Sequence, residues 1–261
     1  MKSSIIRCKI RVLEVLSKEK CFMITKINGI NLFYQIYGAG EPILLIHGNG
    51  QSHRSLKRII DDLALDHQVI AVDSRAHGRS DAGNMPLDFE IMALDMLSLL
   101  DFLKIDKYKV VGYSDGGIVA LVMGKMQPKR QIASVVIGTN YHVNQIRFLP
   151  DLFCRVAYGA TVLLAPFSRF FERMKQQLAL TIYHPHMSEA DLKKISAPLL
   201  AVVGEYDLIS SKDTKKMVHS VQHGEMVIVR NGLHYLPRQK PKQLLRLIHT
   251  FFSNLSAEIH K

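Results

Sequence analysis

The run VVGYSDGG, residues 110 to 117, sets a serine between glycines where an apolar, β-forming stretch gives way to a helical one. A serine hydroxyl there can attack a carbonyl if an oriented base takes its proton. Gly-x-Ser-x-Gly on a strand-to-helix turn fits a nucleophile elbow, with glycines relieving the crowding around a strained central residue. The Ser114 hydroxyl is then lifted clear at the carboxyl end of a sheet, where α/β sheets tend to place ligands. A helix beginning near Gly116 aims its N-terminal dipole at the same spot and favours negative charge there.

The chain has twelve histidines, and position selects one. His234, in VIVRNGLHYLP, follows the last strand in a glycine-containing loop from which a side chain can reach back over the sheet end. Its imidazole needs a carboxylate to fix the tautomer and stabilise the imidazolium. Asp207, in LLAVVGEYDLIS, comes just past a buried strand and is preferred over Glu205, because the spacing from Gly204 lets the chain turn first. Ser114, Asp207 and His234 thus occur in the order nucleophile, acid, base. Acyl transfer also needs donors for the tetrahedral oxyanion. The backbone N–H of Asp115 is one, and the N–H of Asn49, in the His47-Gly48-Asn49-Gly50 loop, is the other.

Elements able to position these groups are visible in the periodicity. Short β-branched runs alternate with longer helical patterns, which predicts an α/β fold with a mostly parallel sheet and helices on both faces. Strands are predicted over 22–27 and 30–37, around an Asn28-Gly29 hairpin turn, and over 42–47, 68–72, 109–112, 132–137, 198–203 and 226–229. Helices are predicted over 55–65, 88–103, 117–126, 213–221 and 241–252. Residues 140–195 break the rhythm and are rich in Phe and Tyr, among them Phe148, Phe153, Tyr158, Phe167, Phe170, Phe171 and Tyr183. They read as a helical lid inserted between two buried strands, with aromatics lining an apolar pocket. The expected organisation is a basic extension over 1–22, core over 23–139, cap over 140–195 and core again over 196–261.

Pro42 to Gly50, DSRAHGRS at 73–80, GYSDGG, GEYD and GLHYLP together resemble the α/β-hydrolase superfamily, over roughly Met23 to Phe252. The resemblance implies an eight-stranded-type sheet with a helical cap and a serine hydrolase that needs no metal or organic cofactor. Ser114 sets the chain apart from the dehalogenase and epoxide hydrolase branches, which carry aspartate at that position. One departure is visible: Ala76 stands where the family often has glycine, which predicts a reshaped loop if that residue needs positive φ. Arg75 and His77 read as structural parts of this loop.

A carboxylic ester of small to medium size is the first expectation for the substrate. The Ser-Asp-Gly-Gly variant resembles hydrolases of amino-acid esters, where the Asp115 carboxylate would pair with a substrate ammonium; otherwise Asp115 caps the following helix. Carbon–carbon bond hydrolysis and peptide hydrolysis are neighbouring readings. A ligand receptor retaining the scaffold is the alternative from another class.

Composition narrows the rest. At 261 residues, 48% hydrophobic and 22% charged, the chain suits one well-buried domain. The net charge of +11 comes without any nucleic-acid motif, so no nucleic-acid partner is expected, and a small molecule is. Three cysteines without metal spacing suit a reducing compartment, and a cytoplasmic location is expected. The longest uncharged run near the middle, Val156 to Ser168, is too short for a membrane span, and the first residues lack the unbroken apolar core of a secretory signal.

Overall fold

The computed structural model describes residues 22–146 and 148–259. The basic extension expected over residues 1–22 lies outside the described residues, apart from the backbone of Phe22. Asn28 and Gly29 both take positive φ (45° and 81°), as a two-residue hairpin turn requires, and join β1 (Phe22–Ile27) to β2 (Ile30–Tyr37). There follow β3 (Glu41–Ile46), α1 (Lys57–Leu63), β4 (His67–Val72), α2 (Phe89–Phe102), β5 (Tyr108–Tyr113), α3 (Asp115–Met126) and β6 (Gln131–Ile137). The segment between β6 and the next strand contains α4 (Phe148–Leu164), α5 (Arg169–Tyr183) and α6 (Glu189–Leu192). The chain then runs through β7 (Leu199–Tyr206), α7 (Ser211–Ser220), β8 (Gly224–Leu233), α8 (Leu236–Gln239) and α9 (Pro241–Ile259).

The strands form one eight-stranded sheet in the order β1-β2-β4-β3-β5-β6-β7-β8. β2 pairs antiparallel with β1 and β4, and every other pairing is parallel. Alternation along the central strands feeds two cores. Leu44, Ile46 and Val110 face a cluster with α2, α3 and α7, whereas Ile43, Leu45 and Val111 face one with α1, α8 and α9. Both faces of β3 and β5 are therefore buried, which is why PILLI and VVGY are runs without polar alternation.

One expectation stands and one changes. By length and composition, the helical stretch Phe148–Phe167 is apolar enough to cross a membrane, with a mean hydropathy of 1.4. Asp151 and Arg155 interrupt the uncharged run without ending the helix, and one such helix does not by itself make a membrane span. The aromatics of 140–195 do not all turn inward: Phe148, Phe153, Phe167 and Phe170 are exposed, Tyr158 and Phe171 are half-buried, and Tyr183 lines a cavity beside the second cap helix. The inward row of α4 holds smaller or more polar residues instead, namely Cys154, Tyr158, Thr161 and Ala165.

Candidate active site

Ser114 sits at the tip of β5, immediately before α3, at φ 53° and ψ −119°. Only close packing permits that turn. A Cβ on Gly112 would lie 2.4 Å from the Gly116 carbonyl oxygen, and one on Gly116 would lie 2.2 Å from that of Ile46. The Ser114 N–H donates to the Ile137 carbonyl (2.8 Å), and its own carbonyl accepts from Gly117 N–H (2.9 Å). The elbow is thus held by backbone on both sides.

His234 follows β8. Its Nε2 lies 3.1 Å from Ser114 Oγ, and its Nδ1 lies 2.6 Å from Asp207 Oδ1. The carboxylate assigns the imidazole proton to Nδ1 and leaves Nε2 as acceptor for the serine hydroxyl. Asp207 is 1% exposed and also accepts from the N–H groups of Gly204 (3.2 Å) and Ile209 (3.1 Å). Burial pushes its pKa up, but the hydrogen bonds from His234 and the two backbone N–H groups outweigh this and hold it below the ordinary value. Glu205 points elsewhere, accepting from Asn231 N–H at 2.8 Å. The structure therefore brings Ser114, Asp207 and His234 together and leaves Glu205 out.

Gly48 packs against the elbow, and a Cβ there would lie 3.1 Å from Ser114 Cβ. Its neighbour Asn49 bonds through Nδ2 to the Gln177 carbonyl and to Thr181 Oγ1, both at 2.7 Å, which ties this loop to α5. Asp115 opens α3, so its N–H is among the helix's first donors, which lack intrahelical partners. Its carboxylate is buried, and Oδ2 has no hydrogen-bond partner among the described residues. Burial raises its pKa to about 7, with only the nearby His234 pulling the other way. The Asp115 side chain does not cap α3.

One residue of this site escaped sequence reasoning. Gly138, at φ 59° after β6, lies where a Cβ would come 2.9 Å from His234 Nδ1 and 3.3 Å from Asp207 Oδ2. Positive φ at a strand end was the available signal, and nothing local connects it to residues 69 and 96 positions away.

The DSRAHGRS loop is built as a scaffold. Asp73 accepts from His53 N–H (2.8 Å) and Arg79 N–H (2.9 Å), and Arg75 makes a buried two-bond pair with Asp95 (2.7 Å each). His77 bonds the Arg75 carbonyl, and burial lowers its pKa to about 3. Ala76 takes φ 60°, so the loop is not reshaped around the missing glycine; the alanine adopts the left-handed conformation with its methyl buried. That burial, worth about 0.8 kcal/mol, offsets much of the roughly 1–2 kcal/mol of strain.

Above the site, α5 is fastened by Gln177 Nε2, which donates to the Ala76 carbonyl at 2.8 Å. A cavity of about 420 Å³ opens between α5 and residues 83–87, and Ser114, Asp207 and His234 are not among its lining residues. No group of three or more His, Cys, Asp or Glu able to hold a metal occurs among the described residues.

A strained serine at the carboxyl edge of such a sheet, beside a histidine and a buried carboxylate, defines the hydrolase class of α/β proteins. An α/β-hydrolase fold family model matches residues 41–153, and a serine hydrolase (FSH1) family model matches residues 105–244, more than half of the chain. The chain belongs to the α/β-hydrolase superfamily. It is similar to the RutD protein of Azorhizobium caulinodans, named as a carbamate hydrolase, at 37% identity over 41% of each chain. It is also similar to the esterase YbfF of Escherichia coli, at 33% identity over 40% of this chain and 42% of the relative. These matches span about two fifths of the curated relatives' length. Among solved structures, MGS-M2, an α/β hydrolase from a deep-sea metagenome library of the Medee basin, superimposes with a TM-score of 0.79. That similarity covers 88% of this chain and 97% of the other at 19% identity, and shows the fold alone.

Proposed function

We propose that the protein is a serine hydrolase that cleaves a small to medium carboxylic ester through an acyl-enzyme on Ser114. The observation that carries this reading is the continuous hydrogen-bond chain from Ser114 Oγ through His234 to the buried Asp207 carboxylate. Ser114 Oγ attacks the ester carbonyl as its proton passes to His234 Nε2. The N–H groups of Asp115 and Asn49 receive the oxyanion. The imidazolium then gives its proton to the departing alcohol, leaving the acyl group on Ser114. Water, deprotonated by the same imidazole, attacks the acyl-enzyme; the carboxylic acid leaves and the proton returns to Oγ. Asp207 keeps the imidazole oriented throughout and stabilises its charged form, and α4 and α5 serve as the cap.

A panel of chromogenic esters, run on the parent protein and Ser114→Ala side by side, tests the reading. Turnover of at least one ester by the parent, its loss in Ser114→Ala, and covalent labelling of the parent alone by a fluorophosphonate are expected. Equal turnover by the two proteins refutes it.

A second reading rests on Asp115. Its buried, unpartnered carboxylate oxygen lies beside the proposed nucleophile and has no described cation to balance it, as suits an ammonium-bearing amino-acid ester. Faster cleavage of an α-amino ester than of its deaminated analogue supports this reading, and equal rates refute it.

A further inference from the structure

α4 wears its amphipathicity inside out. One row of the helix and of the turn that follows it, Leu149, Phe153, Val156, Leu163 and Phe167, repeats at spacings that sum three- and four-residue steps, and its members are 74%, 74%, 68%, 74% and 85% exposed. The opposite row, Asp151, Cys154, Tyr158 and Thr161, with Ala165 in the turn beyond, is half-buried or buried, and α4 packs on α5. A helix stabilised by burying its greasiest face would be turned the other way. Phe170, 66% exposed at the start of α5, extends the apolar surface around the turn. An apolar patch of this extent marks a site that meets another protein or a lipid surface.

Charge selects between those partners. Residues 147–175 contain five basic and two acidic side chains, and the whole chain carries +11. Arg169 is exposed next to the apolar row, as is Arg155, which pairs with Asp151 at 2.8 Å. A second copy would set the same net +3 of residues 147–175 against this face, whereas an anionic bilayer attracts the charge and buries the row together. Crossing the bilayer is excluded by connectivity: α4 turns within Ala165–Phe167 into α5, which packs back along it. α5 is in turn bonded to the core through Gln177 and Arg173.

We propose that the outward face of α4, with the Phe167–Phe170 turn, docks the protein on an anionic lipid surface. The helix lies in the headgroup boundary rather than across the membrane. The surface differs from the Ser114 site, and docking holds whether or not that serine is a nucleophile.

Vesicles of phosphatidylcholine alone, and of equal parts phosphatidylcholine and phosphatidylglycerol, test this with the full chain. Co-sedimentation with the anionic vesicles is expected, weakening as salt rises. The double variant Phe153→Glu/Leu163→Glu, at exposed positions, is expected to bind about a hundredfold less tightly while melting as the parent does. The chain has no tryptophan, so Leu163→Trp supplies a single reporter that conserves apolar character and carries the test alone if the double variant does not fold. Its emission is expected to shift to the blue on anionic vesicles and to be quenched by brominated acyl chains. A tryptophan in place of Leu65, 84% exposed just before β4 at the opposite end of the sheet, is expected to report no change. An unchanged Leu163→Trp emission overturns the proposal. Equal binding to phosphatidylcholine alone overturns the choice of an anionic surface. A parent dimer in analytical ultracentrifugation that the double variant dissociates assigns the face to a second copy instead.

Discussion

Replacing Asp115 with asparagine tests how the site carries a buried carboxylate with an unpartnered oxygen. Burial raises the Asp115 pKa from its ordinary 3.8 to about 7. A folded-state value above the unfolded one means that the folded protein keeps this proton through a window in which the unfolded chain has released it. The stability linked to Asp115 is therefore fully present below about pH 3.8, falls as pH rises, and levels off above about pH 7. At about 1.4 kcal/mol per pKa unit, the loss is roughly 4 kcal/mol by pH 8 and roughly 1 kcal/mol at pH 4.5. The amide of Asp115→Asn cannot ionise, so the stability of this variant relative to the parent is expected to improve by about 3 kcal/mol between those two conditions. For a domain of this size that is a Tm difference growing by about 6–12 °C. Urea unfolding of both proteins at about pH 4.5 and 8 measures it directly. A relative stability that is the same at both pH values, within about 1 kcal/mol, refutes the claim that this carboxylate is uncompensated. The variant keeps the residue-115 N–H, so turnover of a neutral ester is expected to stay within about tenfold of the parent. A preference for α-amino esters, if the parent has one, is expected to vanish.

Asp207→Asn is expected to lower kcat by about 10⁴, with KM little changed, because an amide beside Nδ1 no longer enforces the tautomer that leaves Nε2 free; a loss below about tenfold refutes Asp207 as the orienting group. Gly116→Ala puts a methyl 2.2 Å from the Ile46 carbonyl oxygen. Neither backbone can yield cheaply, so a loss of about 3 kcal/mol in urea unfolding is expected, and a change below about 1 kcal/mol means the elbow has room to move. Asp95→Asn leaves the buried Arg75 guanidinium without its counter-charge and is expected to cost about 3–5 kcal/mol by thermal and urea unfolding. The Asn28 side chain, which bonds Asp95 at 3.0 Å, carries that effect into the β1–β2 turn.

What was legible in the sequence is what local physics determines. The elbow could be read because a strained turn needs glycine within two residues on either side, whatever the remainder of the chain does. The central strands could be read because burial on both faces leaves no room for polar alternation. β8 is longer than its expected span of 226–229: it runs over Gly224–Leu233 because pairing with β7 takes in Gly224 and Glu225 and, past a shift in register, Leu233. Asp207 and His234 were placed by their distance from strand ends, which fixes the sheet edge they reach but not the 2.6 Å contact between them. Gly138 could not be found this way, since its constraint is the imidazole of a residue 96 positions on.

α4 shows where periodicity runs out. Its apolar spacing specifies a helix correctly, yet spacing carries no sign: it says that one face is greasy, not that this face meets the sheet. The sign is set by what α5 and the Ser114 edge of the sheet offer the helix. Cys154 lies near enough to Asp115 for that carboxylate to help raise its thiol pKa, after burial and Asp151. A phenylalanine row turned toward a carboxylate whose Oδ2 already lacks a partner would desolvate it further, at a cost of about 1–3 kcal/mol or more. Cys154, a thiol rather than a phenyl ring, is the α4 residue set close to that carboxylate, and the phenylalanines stand on the outer face. At position 154 the buried carboxylate of the candidate site thus disfavours an aromatic ring on the inner face of the helix above it.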